Sequence, residues 1–182
     1  GLHLPSDLPD LATRLDALAD ALQLDHAVLA ALPDFAPEAA PQASLPPLLA
    51  GKTIAVAHDA AFAFVYAANL RTLQGMGARI ATFSPLADDA IPADADALWL
   101  PGGYPELHGA TLAANTRWLA SVQAFAAAGK PVWAECGGMM ALTEQLHDGQ
   151  GQAHRMAGVL PGSVRMTAKL AGLGSQGWPH PA

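Results

Sequence analysis

The sequence predicts an α/β fold: an open, mainly parallel sheet flanked by helices, preceded by an N-terminal helix and a proline-rich linker. Three observations predict it. After Gly51, short β-rich apolar runs alternate with helical ones, the order that builds a parallel sheet through crossover connections. Two of those runs, residues 97–100 and 131–134, lead straight into glycine-bearing turns, as strands do at the carboxyl edge of such a sheet. Before Gly51 the pattern differs: an amphipathic helical stretch is followed by Pro33, Pro37, Pro41, Pro46 and Pro47, which can neither continue a helix nor donate to a ladder.

In the leading segment, Leu11, Leu15, Leu18 and Leu22 recur at three- and four-residue steps and so share one helix face, with Ser6 or Asp7 as candidate caps ahead of Pro9. Residues 32–47 read as a linker, the alternative being a wrap over the following domain anchored by Phe35 and Leu45. Strands are expected at 53–57, 79–83, 97–100 and 131–134. Helices are expected at 67–76, closed by Gly77, at 115–128, ended by Gly129, and at 137–146. Residues 156–160 and 163–166 are candidate short strands.

Of the 182 residues 52% are apolar and 14% charged, and there is one cysteine. The length suits one ordinary domain, large enough to need no disulfide or metal staple. A single cysteine rules out an internal disulfide framework. The low charge comes from alanine, and no run approaches the ~18 consecutive apolar residues of a membrane span. No signal peptide is evident, so the expected location is cytoplasmic, with no membrane partner. Nine basic residues against sixteen acidic leave a net charge of -7, which argues against nucleic acid as a partner.

The strongest chemical feature is Ala134-Glu135-Cys136-Gly137-Gly138-Met139, set between an apolar strand and a helix. A strand that turns sharply into a helix lifts one side chain to the sheet edge, and the glycines behind it leave room for the turn and a substrate. The helix then aims its free amides and positive dipole end at the thiol. A lone thiol in an apolar strand is otherwise inert packing; these flanks favour a nucleophile. The second feature is Leu100-Pro101-Gly102-Gly103-Tyr104-Pro105-Glu106, whose glycines would let a backbone amide approach a developing oxyanion beside the Gly137 amide. Thiol catalysis also needs a base. Of the seven histidines, only His58, after the first strand, and His108, after the glycine loop, stand where either could approach that crevice. Each also reads as an ordinary loop histidine. No metal site is expected.

Together these motifs resemble the glutamine amidotransferase domain of cobyrinic and hydrogenobyrinic acid a,c-diamide synthases, a class I-type amidotransferase. The matching stretches are Ile54 to Phe64, Phe83-Ser84-Pro85-Leu86, Leu100 to Glu106, Leu112-Ala113-Ala114-Asn115, the Cys136 turn, Gly158-Val159-Leu160-Pro161-Gly162 and Arg165-Met166-Thr167. The resemblance covers roughly residues 52–177. It implies that Cys136 is the nucleophile forming a glutamyl thioester, that the Gly103 and Gly137 amides form the oxyanion hole, and that Tyr104 and Glu106 line the same substrate-side loop. Glutamine would be the substrate. Ammonia would pass to an ATP-dependent synthetase domain that activates corrin carboxylates for cobalamin biosynthesis.

On that resemblance residues 1–31 correspond to the end of the synthetase domain, 32–51 to a linker, and 52–182 to the amidotransferase domain. No Gly-Lys-Ser/Thr phosphate loop occurs here, so this chain carries no cofactor of its own. Mg-ATP and the corrin would bind the preceding synthetase domain, and surface left bare without that domain would favour a homodimer. Relatives continue past Leu173-Gly174 to a Gly-His-x-Phe-His strand carrying the catalytic histidine. His180 stands between prolines instead and is not given that role. His58 occupies a position where relatives have arginine. Two other readings are a docking module of the same fold without catalysis, and an unrelated cysteine hydrolase using His58 or His108 as base.

Overall fold

The computed structural model describes residue 5 and residues 8–34 and 45–168. The chain divides into two units, residues 1–42 and 43–182. In the first, α1 spans Leu11–Ala21 and α2 spans His26–Ala30. The expected caps Ser6 and Asp7 lie outside the described residues, and Asp10 holds the N-cap position of α1. Its carboxylate makes no capping bond but takes the Arg14 Nε at 2.9 Å, four residues on. Asp25 does cap α2, accepting from the Ala27 and Val28 amides. Leu15, Leu18 and Leu22 are exposed.

In the second unit, residues 45–50 already pack on the sheet domain. The Leu49 amide donates to the Met76 carbonyl at 2.9 Å, and its side chain joins Val65, Leu70, Leu73 and Ile80. Phe35, the other proposed anchor, lies outside the described residues. The strands β1 (Thr53–Ala57), β2 (Arg79–Phe83), β3 (Ala97–Leu100) and β4 (Val132–Ala134) form a wholly parallel sheet in the order β2-β1-β3-β4. All of β1 is buried, as expected of a central strand covered on both faces.

Alternation along β1 assigns the two layers. Ala55 and Ala57 face a core built with Phe62, Leu98, Leu100, Leu112, Trp118, Val122 and Leu146, whereas Ile54 and Val56 face a smaller one with Trp99 and Ala78. The larger core lies under α4 (Gly109–Ala114), α5 (Thr116–Ala127) and α6 (Gly137–Leu142), the smaller under α3 (Ala67–Gly75). The chain leaves α3 and α5 through Gly77 and Gly129 at φ +93° and +70°, where a side chain would be strained. At the start of α5, Asn115 turns its side-chain amide to the Pro85 and Leu86 carbonyls, and Asp88 caps the Trp118 amide from outside the helix.

Two expectations need correction. The helix predicted over 137–146 stops at Leu142, and Gln145–His147 is strand β5. Thr143 is extended and its hydroxyl donates to the Met140 carbonyl, which ends the helix while Leu146 still reaches the core. The strand predicted at 156–160 is irregular, and the ladder strand is Ala153–Arg155 (β6) instead. The amides of Ala157, Gly158, Val159 and Leu160 go to the carbonyls of Ala141, Thr143 and Leu142. They satisfy the orphan acceptors at the end of α6 and so pair with no strand. β7 (Ser163–Arg165) then lies beside β5, completing a three-stranded sheet in the order β6-β5-β7. Among the described residues no helix is long and apolar enough to cross a membrane.

The β5–β6 hairpin is pinned by an ionisable pair. His154, buried against Gly109, meets the Asp148 carboxylate at 2.8 Å. That hydrogen bond, followed by the Gln152 and Gln150 amides, holds the Asp148 carboxyl below the ordinary carboxylate range. A carboxyl lowered by folding stabilises above its unfolded pKa, near 3.9, and loses that contribution as pH falls through the folded value. Asp148→Asn should therefore lower Tm at pH 5, and the gap from the wild type should narrow as pH falls below about 4. A pH series of thermal melts checks this; a constant gap would deny the carboxylate its role.

Candidate active site

The carboxyl end of β4 turns into α6 at Cys136, which has φ +50° and ψ -117° and is solvent-exposed. A non-glycine residue held at positive φ costs about 1–3 kcal/mol and persists only where its surroundings enforce it. Here three backbone bonds do so. The Glu135 amide extends the β3–β4 ladder to the Leu100 carbonyl at 3.2 Å, the Gly138 amide closes the turn on the Glu135 carbonyl at 2.8 Å, and the Met140 amide reaches the Cys136 carbonyl at 3.2 Å. Gly138 is pressed so closely on β3 that a Cβ would overlap the Leu100 carbonyl. The thiol is thus raised on a turn tied to two strands.

The loop after β3 lies against this turn. A Cβ built on Gly137 would stand 2.7 Å from Pro105 Cδ, 2.9 Å from the Gly103 carbonyl oxygen and 3.1 Å from its amide nitrogen; one built on Gly102 would stand 3.4 Å from the Cys136 Cβ. Beneath, a Cβ on Gly103 would overlap the Ala61 carbonyl in the loop that follows β1. The Phe64 amide donates to the Gly102 carbonyl at 3.0 Å and forms an isolated bridge there. Neither the Gly103 nor the Gly137 amide donates to another described residue. Two amides without a partner among the described residues thus lie on adjoining backbones beside the raised thiol.

Tyr104 stacks edge-on against Phe64, with centroids 5.2 Å apart, and its hydroxyl is buried without a hydrogen-bond partner among the described residues. Glu106 is the middle residue of the short 3-10 turn Pro105–Leu107, and its partly exposed carboxylate makes no side-chain hydrogen bond among the described residues. Glu135, next to the thiol in sequence, turns to the opposite side of the sheet and accepts from Trp99 Nε1 at 3.1 Å. It lines a groove of about 550 Å3 with Ile54, Leu73, Trp99, Val132 and Trp133, which includes neither Cys136 nor the glycine loop.

Of the histidines, His58 is exposed at the end of β1 and His108 is partly exposed at the start of α4. Among the described residues no histidine ring hydrogen-bonds to Cys136. His154, set beside a polar Asp-Gly-Gln-Gly stretch, is buried and committed to Asp148. His3 and His180 lie outside the described residues.

Sequence reasoning gave no role to Asp59, which follows β1 by two residues and accepts four hydrogen bonds, two from the loop after β1 and two from the turn after β2. Its signal was an acidic residue at a strand's carboxyl end followed by Ala60-Ala61, a pattern that suits a side chain folding back on its own amides.

Residues 53–177 match the family model described as the CobB/CobQ-like glutamine amidotransferase domain. A cobyrinate a,c-diamide synthase of Herminiimonas arsenicoxydans is 49% identical over 177 residues, covering 97% of this chain and 40% of its own length. A hydrogenobyrinate a,c-diamide synthase of Stutzerimonas stutzeri (strain A1501) is 49% identical with the same coverage, and one of Pseudomonas aeruginosa is 46% identical over 176 residues. The chain therefore spans about 40% of the length of these curated relatives.

Proposed function

Because the chain belongs to the CobB/CobQ-like glutamine amidotransferase domain family, we propose that it hydrolyses glutamine through Cys136 and supplies ammonia for amidation of corrin carboxylates. The observation that carries the reading is the strained Cys136 turn lying against the Gly103 and Gly137 backbones. The Cys136 sulfur attacks the side-chain amide carbon of glutamine. The carbonyl oxygen takes the negative charge and accepts from the Gly103 and Gly137 amides. The C–N bond breaks, the nitrogen leaves as ammonia after gaining a proton, and a glutamyl thioester remains. Water then attacks the thioester, releasing glutamate and the thiol. Tyr104 and Glu106 stand on the substrate side of the same loop.

The acceptor follows the relatives' names; the nucleotide, the domain assignments and the base follow the family resemblance alone. Cobyrinate or hydrogenobyrinate is the acceptor, and its a and c carboxylates are activated with Mg-ATP on a synthetase domain, to which residues 1–31 belong and from which 32–51 lead. The general base is a histidine other than His58 and His108.

Covalent labelling of the full-length protein by a diazoketone analogue of glutamine, followed by peptide mass spectrometry, tests both halves. Label is expected on Cys136 alone, blocked by glutamine. In His58→Ala and His108→Ala variants glutamine turnover should stay within about threefold, since a general base contributes 10²–10⁴-fold. Modification elsewhere would sink the nucleophile assignment. A hundredfold loss in either histidine variant would make the base one of this chain's own loop residues.

A further inference from the structure

We propose that Asp59 is a positioning residue for glutamine hydrolysis, its carboxylate holding the loop against which the Gly103 backbone rests; the proposal stands on the glutaminase reading of Cys136. Asp59 Oδ1 accepts from the Ala61 amide at 2.9 Å and the Phe62 amide at 3.2 Å. Its Oδ2 accepts from Ser84 Oγ at 2.9 Å and the Leu86 amide at 2.8 Å. An ionised carboxylate offers about four acceptor sites, so every one of them is spent on the protein. Asp59 has no capacity left for substrate and must act through what it holds.

What it holds is the layer beneath the oxyanion donors. Ala61 and Phe62 are fully buried, and the Ala61 carbonyl occupies the place a Gly103 side chain would need. Two residues on, Phe64 bonds the Gly102 carbonyl and packs on Tyr104. The other arm of the carboxylate grips the turn after β2, which is itself fixed. The Asn115 side chain donates to the Pro85 and Leu86 carbonyls at 2.8 and 3.0 Å, and the Ser84 amide donates to Asp89 at 3.0 Å. Asp59 thereby couples the loop under Gly103 to a turn anchored at the start of α5. Without the carboxylate, residues 59–62 keep only the turn bond from the Phe62 amide to the Asp59 carbonyl. A shift of about 1 Å in an oxyanion donor is enough to cost a hundredfold in rate.

The variant Asp59→Asn keeps the shape and one acceptor oxygen but sets an NH2 group against amide donors that cannot turn away. In the full-length protein, kcat for glutamine hydrolysis should fall about thirtyfold while KM moves less than about threefold. Alkylation of Cys136 by iodoacetamide, which needs no oxyanion donor, should stay within about twofold of wild type. Ser84→Ala removes one bond from the same carboxylate and should lower kcat about three- to tenfold, which serves if Asp59→Asn does not fold. An unchanged kcat in the folded variant, or a parallel fall in kcat and alkylation rate, overturns the proposal. The glutaminase reading fails separately, if wild-type turnover is absent or survives Cys136→Ala. Turnover that requires Cys136 but ignores Asp59→Asn defeats the positioning role alone.

Discussion

Replacing Cys136 with alanine should abolish glutamine-dependent synthesis by the full-length protein, by about ten-thousandfold or more, as expected when a covalent nucleophile is removed. With an ammonium salt as nitrogen source the same variant should keep synthesis within about twofold of wild type, because free ammonia bypasses the thioester. The contrast is informative because Cys136 is exposed and carries no packing burden. Loss of its sulfur leaves no cavity, so the ammonia-dependent rate reports an intact fold. Parallel measurements with the two nitrogen sources would decide the matter. An equal loss with both would mean that Cys136 supports the structure and does no chemistry.

The second large effect is expected at Gly103→Ala. The new methyl group would overlap the Ala61 carbonyl oxygen and approach the Ala61 carbonyl carbon at 2.8 Å and the Phe62 Cα at 2.9 Å. All three are backbone atoms, so neither partner can rotate aside and one loop must move. Turnover should fall about a hundredfold through displacement of an oxyanion donor, with a stability loss of about 1–3 kcal/mol from overpacking. Gly102→Ala is the control. Its nearest neighbour is the edge of the Phe64 ring at 3.0 Å, a side chain that can yield, and its loss of turnover should stay under about tenfold. Steady-state kinetics and thermal melts on both variants give the ordering. A Gly103→Ala protein with full turnover would remove the 103 amide from the mechanism.

The central sheet was legible because its strands are apolar runs bounded by turn residues. β1, β2 and β3 occupy the residues expected from sequence, Thr53–Ala57, Arg79–Phe83 and Ala97–Leu100. The turn at Cys136 was legible for a related reason, since a short strand followed by two glycines leaves the chain few ways to enter a helix. The end of α6 was not. Besides the extended Thr143, it is sealed by backbone amides of residues 157–160, which arrive from beyond a hairpin to take the last carbonyls, and that long-range part has no local mark. α4 was also missed, being six residues opened by a glycine. Asp59 escaped for the same kind of reason: half of its bonds run to residues 25 and 27 positions away. His154 follows a polar stretch of sequence, yet the fold brings Gly109 over its ring.

The positive φ of Cys136 sets stability and activity against each other at a single residue. A glycine there would release the torsional cost and leave a more heat-resistant domain with no nucleophile. Selection for thermal robustness alone would therefore erode glutamine hydrolysis first at this position. An engineered stabilised form of the domain has to find its gains elsewhere, and the β5–β6 hairpin, whose Asp148–His154 pair is separate from the Cys136 turn, offers ground where added stability does not compete with the thiol.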